Sequence, residues 1–183
     1  YIVNHSSAWN INPKRIIANG SSAGAVTTLQ AVYECTNLTK LSSRLPEGFN
    51  YAGAISFAGA IFNLGIPQWK DAPCPIMLFH GNADKLVPFD KAILNNMGFW
   101  GSKFLAGQLT EMKVPHYFYM VEEEGHTMAS VPMTRNRDDI MSFIHRLVFN
   151  HESLMLNTNE VVPGKAPEKK DFTLQDYVIN NIK

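Results

Sequence analysis

The chain has 183 residues, 45% hydrophobic and 17% charged, a composition that suits one globular domain with its own core and excludes disorder and collagen-like repetition. Sixteen Lys and Arg balance sixteen Asp and Glu, so no net field draws the chain to nucleic acid or an anionic membrane surface. The longest nearly apolar run, Tyr51 to Phe62, contains Ser56 and falls short of the roughly 18 residues of a membrane span, so it reads as a buried strand.

The chain starts at Tyr1 without an initiator Met or a basic, apolar leader. The expectation is that the native N-terminus lies upstream, and localisation is unreadable. In chain order, Arg15 to Ala18 is a short β-prone run between Pro13 and Asn19-Gly20. Ala25, Val26, Leu29, Val32 and Tyr33 then fall at helical spacing, which predicts a helix from about Ala23 to the Asn37–Lys40 region. Tyr51 to Ile61 and Pro75 to Phe79 read as a second and third strand, apolar enough for a parallel sheet covered on both faces.

Phe104, Leu105, Leu109 and Met112 predict a helix, His116 to Val121 a fourth strand, and Ile140, Phe143, Ile144, Leu147 and Val148 another amphipathic helix opened by Asp138 and Asp139. Strands alternating with helices predict an α/β fold, a parallel sheet with helices on both faces and its site outside the carboxyl ends of the strands. Past Asn150 the sequence turns polar, and Pro163 to Lys170 reads as an irregular surface segment before Phe172, Leu174, Tyr177, Val178 and Ile182, a stretch whose spacing allows it to dock as a short helix. The expected division is a catalytic portion at 1–150 and a C-terminal extension at 151–183. Cys35 and Cys74 lack metal or redox spacing and are expected to be buried free thiols. No zinc or phosphate-loop pattern is present, so no metal and no cofactor are implied.

The strongest chemical signal is Gly20-Ser21-Ser22-Ala23-Gly24, a G-x-S-x-G pattern where a strand gives way to a helix. A serine there sits on a strained turn, and side chains two residues to either side are expected to collide. Ser21 competes as nucleophile, but only Ser22 has glycine at both flanking positions. Such a serine needs a base, and the base an orienting acid, each at the end of a later strand in the order Ser, Asp or Glu, His. After the third strand comes His80-Gly81-Asn82-Ala83-Asp84, and after the fourth Glu124-Gly125-His126, which nominates Asp84 and His126. His5, His116, His145 and His151 do not follow a strand, and His80 reads as support for the turn that presents Asp84. Asp90 and the Glu122-Glu123-Glu124 run are the competing acids, the glutamates reading as a solvated edge or loop.

These stretches, with Val87-Pro88, resemble the α/β-hydrolase superfamily, specifically its carboxylesterase branch, from about Asn12 to Phe149. The resemblance implies Ser22 as nucleophile, His126 as general base and then acid, Asp84 as orienting carboxylate, and the Ala23 N–H as one oxyanion donor. It implies an α/β-hydrolase fold lacking its N-terminal strands and the glycine-rich loop that supplies further oxyanion donors. The substrates implied are short acyl or hydroxycinnamoyl esters, small or carbohydrate-linked. A catalytically silent hydrolase-fold partner module is the alternative, with a serine peptidase as a lesser variant. Asn63 to Cys74 leaves no room for a lid domain, so an open cleft is expected, with Trp69, Phe99 and Trp100 either an aromatic platform or buried packing. The nucleophile strand is expected to present an unpaired flank, covered by an upstream segment, another copy or a local rearrangement.

Overall fold

The computed structural model describes residues 1–181, so Ile182 lies outside the described residues. Five strands form a parallel sheet in the order β1 (Ile17–Ser21), β2 (Gly53–Phe57), β4 (Ile76–Gly81), β7 (His116–Val121) and β8 (Met155–Glu160). Three more, β3 (Ala60–Leu64), β6 (Met97–Gly101) and β5 (Lys91–Leu94), make a small antiparallel sheet. The helices are α1 (Ala23–Thr36), α2 (Ser102–Glu111), α3 (Pro132–Arg135), α4 (Arg137–Phe143), which continues as a π-helical turn over Ile144–Phe149, and α5 (Leu174–Asn181).

The class is α/β, and its two cores follow from strand alternation. On β4, Ile76 and Leu78 point into a cluster with Leu29 and Val32 of α1 and Leu105 and Leu109 of α2. Met77 and Phe79 point the other way, against Phe143 of α4 and Leu147 and Val148 of the π turn. Every residue of β2 and β4 is buried, as continuous apolar strands covered on both sides should be. Cys35 and Cys74 are free and buried. No helix among the described residues is long and apolar enough to cross a membrane.

Three differences from the sequence reading have physical causes. The run from Tyr51 to Ile61 is not one strand: Ala58, at φ 57°, adopts a left-handed conformation and turns the chain out of the main sheet, so β3 starts at Ala60. The hairpin β5–β6 was not foreseen, although its register leaves Asn95 and Asn96 as a two-residue loop with Asn95 at φ 53°, a conformation asparagine tolerates. The third is β8, inside what reads as a polar extension beginning at 151; it extends the main sheet beside β7, so the chain past Asn150 belongs to the fold. Its inward positions include Thr158 and Glu160, whose oxygens meet the hydroxyls of Tyr117 at 3.1 Å and Tyr119 at 2.8 Å, so polar residues face in without being orphaned. At the opposite rim, β1 pairs with β2 alone among the described residues, an edge of the kind the sequence reading anticipated.

Burial pushes the Cys74 thiol up to about 12. Since the thiolate is the species that alkylates, iodoacetamide at about pH 8 is expected to modify Cys74 only after unfolding, as read by mass spectrometry of peptides from native and urea-treated protein. Rapid modification of native Cys74 contradicts this packing.

Candidate active site

The parallel sheet places the ends of β1, β4 and β7 along one rim, and each is followed directly by a loop carrying polar groups. After β1 the chain turns at Ser22, whose φ of 53° and ψ of −120° lie outside the regions ordinary residues favour. Its N–H donates to Phe57 O at 2.9 Å, fixing the turn to β2, and α1 begins at the next residue. Gly20 is required: a Cβ there would stand 2.1 Å from Gly24 O. The second glycine does not follow the collision argument, because a Cβ on Gly24 meets nothing within 4 Å. Strand and helix backbones touch at the first glycine, and the second only supplies the carbonyl they touch through.

The loops after β4 and β7 lock together. Gly81 comes so near Glu124 that a Cβ would lie 2.1 Å from its carbonyl oxygen. Ala83 N–H donates to Glu124 O at 2.9 Å, and Glu123 N–H donates to Asn82 Oδ1 at 2.8 Å. The role of Asn82 as a latch is absent from the sequence reading, and the only signal for it is its place between Gly81 and Asp84.

Ser22, Asp84 and His126 meet in this frame. His126 Nδ1 lies 2.7 Å from Asp84 Oδ2, and His126 Nε2 lies 2.8 Å from Ser22 Oγ. An ionised carboxylate only accepts hydrogen bonds, so Nδ1 carries the proton and Nε2 accepts from the Ser22 hydroxyl. Asp84 Oδ1 accepts from Leu86 N–H at 2.8 Å and Val87 N–H at 3.1 Å, while Oδ2 also lies 3.3 Å from His80 Nε2. Burial alone would raise the Asp84 carboxyl, but the hydrogen bonds and charge of His126 and His80 outweigh it and hold the group well below the usual carboxylate range. His80 Nε2 is also 3.3 Å from Val87 O; with two acceptors in front of it, that nitrogen carries hydrogen, and Nδ1 faces Ser102 Oγ at 2.8 Å. His80 thus braces the Asp84 turn, as the sequence suggests.

The competitors are engaged elsewhere. Ser21 Oγ donates to Ala129 O at 2.6 Å, tying β1 to the segment after His126. His116 is buried, its Nδ1 2.8 Å from Val114 O, and His145 packs on Phe149. Asp90 pairs with Lys103, Glu122 accepts from Asn159, and Glu123 and Glu124 pair with Lys170 and Lys165. The glutamates lie in the loop after β7, one of the two places expected of them, and the last two also anchor the C-terminal segment. Trp100 is buried against Phe104, and Trp69 packs on Tyr33 and donates to Gln108, so both are packing residues.

Beside Ser22 and Ala23 lies a cavity of about 180 Å³ walled by Val26, Phe62, Val87 and Phe99 and, from α5, by Tyr177 and Asn181. The cleft is not the open one expected from the short 63–74 connection, because α5 supplies one wall. A larger groove of about 670 Å³ runs along α1 towards Leu41, Leu45 and Tyr51 and shares Val26 and Phe62 with this cavity. It holds none of the three hydrogen-bonded groups, so the smaller cavity is the one placed for their chemistry. Comparison with family models, curated proteins and solved structures finds no match for this chain.

The sign of the Asp84 linkage follows from its depressed value. The stability it contributes is present above its unfolded pKa near 4 and is lost as pH falls through that value towards the folded one. Between about pH 5 and 2, the urea midpoint of the wild type is expected to fall more steeply than that of Asp84→Asn. Parallel declines would mean that Asp84 carries no paired charge in the folded state.

Proposed function

We propose that this chain is a serine ester hydrolase, with the α/β-hydrolase fold and of the carboxylesterase branch, working through an acyl-serine intermediate. The observation that carries the proposal is the unbroken hydrogen-bond chain from Ser22 Oγ through His126 to a buried Asp84, with the serine on a strained strand-to-helix turn. His126 Nε2 takes the Ser22 hydroxyl proton as Oγ attacks the ester carbonyl carbon, and Asp84 holds the ring in the required tautomer and offsets the imidazolium charge. Ala23 opens α1, where a backbone N–H has no carbonyl one turn earlier in the helix to bond, so it serves as an oxyanion donor in this reading. The tetrahedral intermediate collapses by breaking the bond to the alcohol, which takes the proton from His126. Water then attacks the acyl-serine with His126 as base, and Ser22 recovers its proton on release of the acid.

The substrates are short acyl or hydroxycinnamoyl esters, small or carbohydrate-linked. A cavity of about 180 Å³ beside the nucleophile, with Phe62, Phe99 and Tyr177 among its walls, supports an apolar or aryl acyl group of modest size.

A fluorophosphonate probe is expected to label wild type and Ser21→Ala but not Ser22→Ala, by intact mass, because the reagent needs the hydroxyl activated by His126. Labelling that survives in Ser22→Ala moves the nucleophile, and no labelling of the wild type returns the chain to a silent module of the same fold. Asp84→Asn is expected to keep its fold by circular dichroism and lose about 10⁴-fold in kcat on a p-nitrophenyl ester. Near-normal turnover removes Asp84 from the mechanism.

A further inference from the structure

The segment after β8 has no part in the proton path, yet it touches the loops that carry Asp84 and His126. Lys165 Nζ pairs with Glu124, and Lys170 Nζ pairs with Glu123. Glu168 N–H donates to Glu123 Oε2 at 2.6 Å, so three groups of this segment grip the loop that leads into His126. The chain then enters α5, whose Asn180 and Asn181 side-chain amides donate to Lys85 O at 2.8 Å and Leu86 O at 3.0 Å, the two residues following Asp84. Between those anchors Tyr177 stacks on Phe99 with ring centroids 4.9 Å apart, and Tyr177 and Asn181 form one wall of the cavity beside Ser22.

We propose that the C-terminal strap, residues 162–181, sets the acyl-size limit of the site: Tyr177 closes the cavity beside Ser22, and the Glu123, Glu124, Lys85 and Leu86 anchors hold it there. The inference rests on the ester-hydrolase reading and goes beyond it, since nothing in the proton path requires α5. The cavity is small and apolar at its aromatic wall, and each methylene that fits or fails to fit an apolar pocket changes specificity by about 10- to 200-fold. A single ring at the cavity wall is therefore enough to separate acetyl from longer acyl groups. The two lysine pairs are half-exposed on the lysine side of Lys170 and less so at Lys165, and pairs of this kind weaken as salt rises. The strap is held by polar contacts at both ends and by one aromatic stack in the middle, so the limit loosens with ionic strength.

The test compares full-length wild type, Tyr177→Ala, Tyr177→Trp and Phe62→Ala, each checked for folding by circular dichroism. The readouts are kcat/KM on p-nitrophenyl acetate, butyrate and octanoate, and rates of Ser22 labelling by fluorophosphonates of matching alkyl length. Tyr177→Ala is expected to raise the octanoate-to-acetate ratio about tenfold or more, and Tyr177→Trp to lower it. The double variant Lys165→Gln, Lys170→Gln, which leaves the cavity walls untouched, is expected to shift the ratio in the same direction as Tyr177→Ala. Should Tyr177→Trp alone fold, a lowered ratio supports the proposal and an unchanged one overturns it. A ratio that moves only in Phe62→Ala assigns the limit to the boundary with the larger groove and overturns the strap. Labelling and turnover with no dependence of the ratio on any Tyr177 variant overturns this inference alone, whereas neither labelling nor turnover in any protein overturns the ester-hydrolase reading and the strap with it.

Discussion

The Asp84 carboxylate is charged although its side chain has no exposure to solvent, and the geometry around it exists to make that tolerable. Both of its oxygens are occupied: two backbone N–H groups serve Oδ1, and two imidazoles face Oδ2. Together the donors tie the carboxylate to three parts of the chain. The N–H groups belong to its own turn, His126 brings the loop after β7, and His80 brings β4 itself, with Ser102 at the start of α2 behind it. Removing one donor would leave a buried charge short of a partner, so these segments are coupled through Asp84 more tightly than their apolar contacts alone would make them.

That coupling needs the loops after β4 and β7 at a fixed separation, which the backbone provides. The parallel register sets Gly81 beside Val121, so the chain leaves both strands at the same level. Gly81 then permits the close approach to Glu124, and Asn82 converts it into a hydrogen-bonded latch. Strain is spent at the neighbouring strand, where Ser22 accepts an unfavourable φ and ψ because Phe57 O and the start of α1 hold it on both sides. The serine is therefore presented by a rigid turn, and the imidazole that meets it by a braced loop.

Much of this was legible in the sequence where chemistry and local geometry coincide. His116 to Val121 is a strand with the bounds its β-branched and aromatic run suggests, and α1 starts at Ala23, as the glycine-serine turn requires. Ser22, Asp84 and His126, which lie far apart in the chain, are brought together at the strand ends that their motifs occupy. What was hidden depends on partners distant in sequence. Met155 to Glu160 looks like a polar linker, because the hydroxyls that satisfy Thr158 and Glu160 belong to Tyr117 and Tyr119 on another strand. The run from Tyr51 to Ile61 conceals a turn, because its small residues carry no period to mark where one sheet ends and another begins.

The three glutamates before His126 show why charge runs resist reading from sequence. In isolation a Glu-Glu-Glu stretch is a solvated edge, and its repulsion would favour extended, mobile chain. Here Glu122 bonds to Asn159 on β8, while Glu123 and Glu124 are matched by lysines of the strap. Those pairings depress Glu123 through the Lys170 contact and the Glu168 N–H, and Glu124, against its partial burial, through Lys165 and Thr127. Both carboxylates thereby hold the strap to the loop that leads into His126. The same arrangement lets one residue serve two ends: Glu124 takes Lys165 with its carboxylate and the Ala83 N–H with its carbonyl, so the segment that walls the cavity beside Ser22 is fixed to the latch that presents Asp84.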